Sequence, residues 1–281
     1  MRINLQTWAS QTIKRLQGNT EFPYIESQVL LAFALNRSRE WIVAHPEVLL
    51  TQEQETQLEK NVQRLLKGDP LPYITGIQAF YGLDFVVTPD VLIPRPETEL
   101  LVEEAVNWLQ SHPNRRSALD MGTGSGAIAV ALADQVADLK ITAADISLAA
   151  LDVARKNAEK FGVEDRVSLI QSDLWQAIDS RFDLIAANLP YIPSAKLKTL
   201  PVSLHEPALA LDGGPDGLQV LRTFLAHTSE HILPGGLVLL EIEAGQGQTA
   251  MELVQNQWGD GMVRLITDYS NQPRLITIQV S

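Results

Sequence analysis

Apolar residues in the first seventy positions recur at intervals of three and four, the spacing of amphipathic helices. Pro23 occupies a place where the first turn of a helix tolerates proline, and residues 39–44 form a short helical run ahead of another proline. Thr51 can cap a further helix that stops at Gly68. We therefore predict a small helical domain over residues 1–70.

The pattern changes over residues 71–95, where short β-type runs replace the helical spacing. Residues 73–75 and 85–87 are rich in β-branched and aromatic side chains, a composition that strands favour. Gly76 and Gly82 lie close to these runs and supply turn positions. Together these features predict a β-hairpin-like connector between the helical domain and the rest of the chain.

Residues 96–281 indicate a second domain in which strands alternate with helices. A helix begins at Pro96, and from Ser117 onward apolar runs of strand length are separated by runs of helical spacing. This alternation is typical of a doubly wound α/β sheet, and the last two strands predict an antiparallel hairpin at its end. Ligands of such sheets bind outside the carboxyl ends of the strands. The predicted strands are 118–119, 140–144, 167–171, 182–187, 237–242, 262–266 and 275–280.

The composition limits the partners and the compartment. Lys and Arg number 22 against 34 Asp and Glu, which gives a net charge of −12, so binding to nucleic-acid phosphates is disfavoured. The absence of cysteine excludes disulfides, thiolate metal sites and a thiol nucleophile. No apolar run approaches the roughly 18 residues of a membrane helix, and the N-terminus lacks an apolar signal region. We expect a cytoplasmic protein with no membrane partner.

One short motif points to a metal, but its surroundings argue against it. His227, Glu230 and His231 spell H-x-x-E-H, which resembles the inverted zinc-protease motif. Pro234 ends the helix soon afterwards, and the other three histidines are scattered along the chain. We therefore expect a solvated helix end and no metal site.

A glycine-rich segment follows the first predicted strand of the sheet and opens a helix. Its three glycines let the backbone approach a ligand where a β-carbon would clash, and the helix N-terminus presents amide donors. The same segment fits the dinucleotide fingerprint G-x-G-x-x-A, so by itself it does not select one adenosine-containing ligand. The cofactor-binding residues expected here are Asp120, Gly122, Thr123, Gly124, Ser125 and Gly126.

Two further strand ends carry acids that suit an adenosine ligand. Asp145 ends the second predicted strand, where a carboxylate can accept hydrogen bonds from both hydroxyls of a ribose. Ser147 competes with it to cap the helix that follows. Asp173 follows the third strand and can bind an adenine amino group. Either Leu174 or Trp175 would cover the adenine face, and the sequence does not decide between them.

The fourth predicted strand runs directly into Asn188, Leu189, Pro190 and Tyr191. The Asn188 side-chain oxygen and the Leu189 carbonyl can each accept a hydrogen from a planar NH2 group, and Tyr191 can stack on that group. A nicotinamide-dependent dehydrogenase has no need of an amide, a stiff turn and an aromatic residue at this place. These four residues are the expected catalytic and substrate-binding group, and Asn188 is also expected to border the cofactor.

The strand-end motifs together resemble those of the class I S-adenosylmethionine-dependent methyltransferases. Residues 80–83, the Ile-Pro-Arg-Pro-Glu-Thr-Glu string at 93–99 and the loop at 206–218 further resemble the HemK/PrmC family. The resemblance covers essentially the whole chain. It implies S-adenosyl-L-methionine as cofactor and methylation of the glutamine in the Gly-Gly-Gln motif of bacterial-type peptide chain release factors. It also implies release-factor binding by the N-terminal helical domain and substrate contacts from Arg95 and Glu206.

One position departs from the family pattern. The family usually has Asn-Pro-Pro-Tyr, whereas Leu189 stands in place of the first proline here. Leu189 keeps its carbonyl, has an N–H and gains some freedom in φ, and it stays biased toward extended backbone because Pro190 follows it. We expect activity to persist with a slightly less rigid turn.

Other functional classes stay open on the sequence. An amino methyltransferase that acts on adenine in nucleic acid shares the Asn-x-Pro-Tyr logic, but the net charge of −12 weighs against it. A nicotinamide-dependent oxidoreductase fits the glycine loop alone, and a pure binding module would hold the cofactor without any transfer. The main prediction is a protein-glutamine methyltransferase that needs no strong base, since the cofactor itself activates the methyl group.

Overall fold

The computed structural model describes residues 2–259 and 263–281. The chain divides into two compact units, Met1–Gly76 and Ile77–Ser281, so the units part beyond residue 70, where the predicted helical domain ends. The first unit is built from helices, and the second contains a hairpin and a large mixed sheet with flanking helices. None of the helices in the described ranges is long enough and apolar enough to cross a membrane.

The helices of the first unit pack around a leucine-rich core, in which Leu30, Leu31 and Leu58 are almost completely buried. Thr51 caps one of these helices, as predicted. Its hydroxyl accepts a hydrogen bond from the Gln54 N–H at 3.2 Å, and the Gln54 side chain accepts one from the Thr51 N–H at 2.9 Å. The described helices are α1 (Leu5–Leu16), α2 (Pro23–Leu35), α3 (Arg39–Ala44), α4 (Gln52–Leu66) and α5 (Leu71–Thr75).

Residues 73–75 belong to helix α5, so the strand predicted for them is wrong. Pro72 lies in the first turn of α5, and Gly76 ends the helix in the left-handed conformation with φ 75°. Proline near the start and glycine just past the end are strong helix signals. They outweigh the β-type side chains between them, of which Tyr73 and Ile74 are buried.

A short antiparallel hairpin opens the second unit. Strands β1 (Ile77–Phe80) and β2 (Leu83–Val86) pair directly, and Tyr81 and Gly82 form the turn between them. Both turn residues have positive φ, 50° and 76°, the conformation in which a two-residue turn matches the twist of the strands. The Tyr81 N–H donates to the Glu99 carboxylate at 2.8 Å. This bond ties the hairpin to the helix that follows it.

The rest of the second unit is a doubly wound α/β fold, as predicted. Its described strands are β3 (Ser117–Met121), β4 (Lys140–Asp145), β5 (Val167–Gln171), β6 (Phe182–Ala187), β7 (Ile232–Glu241), β8 (Val263–Thr267) and β9 (Pro273–Gln279). They form one sheet in the order β5-β4-β3-β6-β7-β9-β8. β9 runs antiparallel to both β7 and β8, which confirms the predicted terminal hairpin. Met262, the first residue of the predicted strand at 262–266, lies outside the described residues.

Helices cover both faces of this sheet. The described α-helices of the second unit are α6 (Glu99–Ser111), α7 (Ala127–Gln135), α8 (Leu148–Lys160), α9 (Ser194–Leu197), α10 (Gln219–His231) and α11 (Gly247–Trp258). Successive strand residues alternate between two apolar cores. Ala118 and Leu184 pack with α6 and α7 on one face, whereas Leu119 and Ile185 pack with α10 and α11 on the other. The buried sheet therefore holds its strand ends in fixed positions.

The carboxyl ends of the central strands meet at one edge of the sheet. Met121 of β3 is in register with Ala144 of β4 on one side and with Ala187 of β6 on the other. The residues that follow these three strands therefore lie side by side, as expected for the ligand-binding edge of such a fold.

Candidate active site

A cavity of about 650 Å³ opens where the carboxyl ends of β3, β4 and β6 meet. Its volume falls in the range of small-molecule sites. The backbone of Gly122 and Gly124 borders the cavity, and Asp145, Leu174 and Asn188 line it. The structure thus brings together residues from each of the predicted strand-end motifs.

Asp120 supports the glycine loop and does not line the cavity. Its side chain is fully buried. Its Oδ2 accepts hydrogen bonds from the Thr123 hydroxyl at 2.6 Å and from the Ala129 N–H at 3.1 Å. Burial raises the pKa of Asp120 to about 7, because the charged form loses its hydration. Asp120 and Thr123 therefore shape the loop from inside the protein.

The glycines of the loop have positive φ and differ in their neighbours. A β-carbon on Gly126 would lie 3.1 Å from the Ala154 Cβ, so glycine at this position lets α7 and α8 approach closely. A β-carbon on Gly124 would meet no atom within 4 Å; this glycine borders the cavity and leaves space for a ligand. Ser125 is buried, and its carbonyl accepts a hydrogen bond from the Asn157 side-chain amide at 2.8 Å.

Asp145 joins the end of β4 to the glycine loop. Its Oδ2 accepts a hydrogen bond from the Gly124 N–H at 2.8 Å, and its Oδ1 accepts one from the Ser147 N–H at 2.9 Å. Burial raises the pKa of Asp145, and these two hydrogen bonds oppose the rise. Each carboxylate oxygen keeps further acceptor capacity for a ligand. Ser147 caps α8, since its hydroxyl accepts from the Ala150 N–H at 3.2 Å.

Leu174 and Trp175 occupy different environments in the loop after β5. Leu174 has φ 49° and lines the cavity together with Asp173. Trp175 is buried in the core, where its ring stacks on Phe224 and its indole N–H donates to the Phe224 carbonyl at 2.8 Å. The structure therefore brings Leu174 to the cavity and places Trp175 away from it, although the sequence made both of them candidates.

The Asn188 side chain reaches the cavity with its amide oriented by a neighbour. Its Nδ2 donates to the Thr98 hydroxyl oxygen at 3.1 Å, and its Oδ1 accepts no hydrogen bond from a described residue. Leu189 is 8% exposed and borders the cavity together with Pro190. An acceptor oxygen of Asn188 is thus available at the cavity wall, beside the turn that follows it.

A second glycine-rich loop, residues 211–217, packs against the backbone at Tyr191. A β-carbon on Gly217 would overlap the Tyr191 carbonyl oxygen, and one on Gly213 would lie 2.8 Å from the Tyr191 Cα. Only glycine permits this approach. The Gln246 side-chain amide donates to the same carbonyl at 3.0 Å. The Tyr191 ring does not line the cavity, and burial raises the pKa of its hydroxyl to about 12.

Arg95 and Glu206 bind each other and do not line the cavity. The guanidinium donates to Glu206 Oε1 at 2.5 Å, and Glu206 Oε2 accepts from the Ile93 N–H at 3.1 Å. Glu206 is buried, whereas the Arg95 side chain is about one-third exposed. Pro207 and Leu209, which follow Glu206, do line the cavity. The ion pair therefore anchors a cavity wall.

Two polar residues at the site are absent from the residues predicted from the sequence. Thr98 binds Asn188, and Glu241 ends β7 beside it, because Leu240 is in register with Ala187 of β6. Glu241 is 6% exposed, and its Oε2 has no hydrogen-bond partner in the part of the chain that the structure describes. Burial raises the pKa of Glu241 to about 7. An acid at the end of an otherwise apolar strand was the signal that could have revealed it.

The H-x-x-E-H motif has a packing role at the end of α10. His231 stacks on Trp175 with ring centroids 4.4 Å apart, and its Nδ1 lies 2.9 Å from the Ser180 carbonyl. His227 and Glu230 are exposed. Within residues 2–259 and 263–281, no three His, Asp or Glu side chains are grouped so that they could hold a metal ion.

Comparison with known proteins assigns the class. Residues 97–203 match the family model of the methyltransferase small domain. The structure resembles a methyltransferase from Pyrococcus furiosus with a TM-score of 0.52, at 19% identity over 82% of this chain and 98% of that chain. It also resembles the hMettl16 catalytic domain with a TM-score of 0.57, at 12% identity over 82% of this chain and 83% of that one. Fold and site thus define an S-adenosylmethionine-dependent methyltransferase.

Full-length relatives narrow the class to one family. Residues 4–76 match the PrmC N-terminal domain. The release factor glutamine methyltransferase of Moorella thermoacetica is 40% identical over 275 residues, 97% of each chain. The one from Koribacter versatilis is 37% identical over 279 residues, 98% of each chain. This chain belongs to the release factor glutamine methyltransferase family.

Proposed function

We propose that this protein methylates the side-chain amide nitrogen of the glutamine in the Gly-Gly-Gln motif of bacterial peptide chain release factors, with S-adenosyl-L-methionine as the methyl donor. Membership in the family supports the donor and the substrate class. The observation that carries the proposal is the orientation of Asn188. Its nitrogen is bound to Thr98, which leaves its oxygen as an acceptor for a carboxamide NH2 group at the cavity.

The cavity suits S-adenosylmethionine in its size and in the chemistry of its lining. Gly124 leaves room beside the helix N-terminus, since a β-carbon there meets nothing within 4 Å. Asp145 offers two carboxylate oxygens to the ribose hydroxyls, and Asp173 and Leu174 offer an acceptor and an apolar surface to the adenine. These residues would hold the cofactor, which supplies a methyl group activated by the positive sulfonium.

The task of the protein is to orient a weak nucleophile. The lone pair of an amide nitrogen is delocalised, so the reaction depends on placement at roughly 3–3.5 Å from the methyl carbon. Asn188 Oδ1 and the Leu189 carbonyl would each accept one hydrogen of the substrate NH2 group. The Tyr191 hydroxyl, with its pKa near 12, stays protonated at neutral pH and is not a base. After methyl transfer, the surplus proton on the substrate nitrogen would pass to water or to a carbonyl oxygen.

We further assign residues 1–70 to release-factor binding, 71–95 to a connector and 96–281 to methyl transfer. The match of residues 4–76 to the PrmC N-terminal domain supports the first assignment. So do the apolar side chains that this unit exposes, since protein-binding surfaces carry such groups; Phe22 is 55% exposed and Tyr24 is 60% exposed. The net charge of −12 argues for a protein substrate and against nucleic acid.

The test is to incubate the protein with labelled methyl donor and a release factor, and in parallel with duplex DNA, and to locate the label by mass spectrometry. We expect the label on the glutamine of Gly-Gly-Gln and none on adenine. Label on the DNA alone would favour the adenine methyltransferase, and binding of donor without transfer would favour a binding module.

A substitution isolates the role of Asn188. Asn188→Ala should lower kcat by about 100-fold, because an oriented acceptor is lost, while the Kd for S-adenosylmethionine changes by less than about twofold. Asn107→Ala, at an exposed position on α6, is the matched control and should behave as the wild type. Equal losses in turnover and in cofactor binding would contradict the assignment.

A further inference from the structure

The usefulness of Asn188 depends on which end of its amide faces the cavity. A side-chain amide has an acceptor oxygen at one end and a donor NH2 at the other, so only the oxygen end can bind a hydrogen of a substrate carboxamide. In the structure the NH2 end donates to the Thr98 hydroxyl oxygen at 3.1 Å. Whatever fixes this orientation therefore prepares the site for its substrate.

Thr98 alone does not fix the orientation, because a hydroxyl can both donate and accept. Its hydrogen needs an acceptor if its oxygen is to remain free for Asn188. Glu241 can supply that acceptor: it lies beside Asn188, since Leu240 of β7 is in register with Ala187 of β6, and its Oε2 has no hydrogen-bond partner among the described residues. Burial raises the pKa of Glu241, and the neighbouring Thr98 and Asn188 side chains oppose that rise. Thr98 and Glu241 are 5% and 6% exposed, so water does not compete with Glu241 for the hydrogen of the Thr98 hydroxyl.

Other charged groups face Glu241 from the neighbouring elements. Arg274 on β9 favours the ionised carboxylate, and Glu97, one residue before Thr98, disfavours it. Arg274 also binds Asp268 at 3.2 Å, so its charge is shared. Tyr191 lies near enough for the Glu241 charge to raise its pKa, and it stays neutral. Burial outweighs the sum of these effects and keeps the pKa of Glu241 near 7.

We propose that Glu241, acting through Thr98, is the positioning residue that fixes the Asn188 amide with its oxygen toward the substrate. An ionised carboxylate can only accept, so the Thr98 hydroxyl donates to Glu241 and the Thr98 oxygen accepts from Asn188 Nδ2. The oxygen of Asn188 is then the only end left for the substrate. The inference rests on the proposed function. It adds the part of the site that determines whether Asn188 presents its acceptor oxygen or its donor NH2 group to the substrate.

Protonation of Glu241 removes this constraint. A carboxylic acid can donate a hydrogen bond to the Thr98 oxygen. The Thr98 hydroxyl then points its hydrogen toward Asn188, and its oxygen accepts a hydrogen bond from Asn188 Nδ2 less well. Both orientations of the Asn188 amide become allowed. Because the pKa of Glu241 is about 7, the wild-type kcat should fall as the pH is lowered through neutrality. A role in folding alone would not produce this profile at saturating substrate.

Kinetics of five variants test the inference. Glu241→Gln and Thr98→Val should each lower kcat about tenfold or more, with KM for the release factor and Kd for S-adenosylmethionine within about twofold of the wild type. Thr98→Ser keeps the hydroxyl and should retain most of the activity. Glu252→Gln, on the exposed side of α11, is the control. The double variant Glu241→Gln/Thr98→Val should be no worse than either single variant, because both break one chain of hydrogen bonds.

Two kinetic results would overturn the inference. One is a wild-type kcat and pH profile in Glu241→Gln, and the other is a Thr98→Ser variant as impaired as Thr98→Val. Melting temperatures of all variants, measured in parallel, show whether a loss of activity comes from unfolding. If the wild type itself gave no methylglutamine, the proposed function would fail, and the next measurement would still decide the inference.

The second measurement does not depend on activity. In protein labelled with ¹⁵N at asparagine side chains, the Asn188 NH2 signal is identified by its loss in Asn188→Ala. We expect this signal to shift with a midpoint near pH 7 in the wild type and to stay constant over that range in Glu241→Gln. A signal that titrates equally in both proteins, or in neither, would overturn the inference.

Discussion

The carboxylate of Asp145 accepts a hydrogen bond from the backbone N–H of Gly124, at 2.8 Å. The acid proposed to hold the ribose therefore also fixes the loop proposed to lie against the rest of the cofactor. Because β3 and β4 are neighbours in the sheet, this single contact joins two strand ends into one binding surface. Substitutions at either residue should act on cofactor affinity before they act on stability.

Replacing Asp145 with alanine should weaken S-adenosylmethionine binding at least tenfold. The change removes acceptors for the ribose and the anchor of Gly124, and hydrogen bonds to a charged group contribute about 1.5–3 kcal/mol each. Isothermal titration calorimetry gives the Kd. Asp152→Ala, at an exposed position on α8, is the control. An unchanged Kd in Asp145→Ala would show that the ribose is bound elsewhere.

Substitutions at Leu174 and Trp175 should have different effects, the first on cofactor binding and the second on the stability of the fold. Leu174→Ala removes an apolar surface of the cavity and should raise the Kd for S-adenosylmethionine about tenfold, with little change in the free energy of unfolding. Trp175→Ala removes a buried ring stacked on Phe224 and should lower the free energy of unfolding by about 3–5 kcal/mol. Urea unfolding and calorimetry distinguish the two effects. The opposite pattern would place the indole in the cofactor site.

Gly217→Ala should impair methyl transfer, because the new β-carbon would overlap the Tyr191 carbonyl oxygen and displace the turn that follows Asn188. Gly162→Ala is the matched control. Gly162 also has positive φ, 66°, but a β-carbon there meets nothing within 4 Å. It should lose about 1–2 kcal/mol of stability from backbone strain alone and keep its kcat. Similar kcat values in both variants would mean that the 211–217 loop does not control the turn.

The Arg95–Glu206 pair should show coupling in a double-mutant cycle. Removing Glu206 leaves the Ile93 N–H and the Arg95 guanidinium without their acceptor, and the loss of one buried partner costs more than the loss of both. Arg95→Ala in turn leaves the buried Glu206 carboxylate without its cation, so the double variant should be more stable than the sum of the single effects predicts. Strict additivity of the unfolding free energies would contradict a coupled pair.

Ionisation of the buried Asp120 carboxyl group should make the protein less stable as the pH rises. Its pKa is raised from 3.8 to about 7 by burial, so between these values the folded state keeps a proton that the unfolded state releases. The stabilising contribution is complete below pH 3.8 and is lost as the pH rises toward about 7. Asp120→Asn removes this titration. Urea unfolding at pH 5 and pH 8 should show a smaller loss in the variant than in the wild type, and parallel losses would contradict the shift.

The sequence predicts the sheet well because its strands are short apolar runs separated by strong helix and turn signals. The predicted strands at 167–171 and 182–187 coincide with β5 and β6. The placement of Asp145 and Asn188 follows from the same reasoning, since polar residues after parallel strands must meet at one edge. The error at 73–75 has a local cause, because proline and glycine at the helix ends outweigh the side chains between them.

The sequence could not reveal contacts that depend on the register of distant segments. Thr98 and Asn188 are far apart along the chain and meet only because the turn at Pro96–Thr98 docks on the end of β6. The different environments of Leu174 and Trp175 likewise depend on a positive φ at Leu174, which no composition signal announces. Pairing of β6 with β7 brings Glu241 to the site, and strand order is not readable from one sequence.

The family's usual proline restricts the backbone through its ring, whereas Leu189 at this position packs its side chain beside Gly122. A β-carbon on Gly122 would lie 3.3 Å from Leu189 Cδ2, so the leucine side chain fills the space that the glycine leaves. A proline ring restricts the unfolded chain as well as the folded one, whereas this contact exists only after folding. Folding of the turn thus carries a conformational entropy cost that a proline would avoid. In addition, the space beside Gly122 is the space that the Leu189 side chain fills. Introducing a side chain at position 122 therefore requires a residue smaller than leucine at position 189.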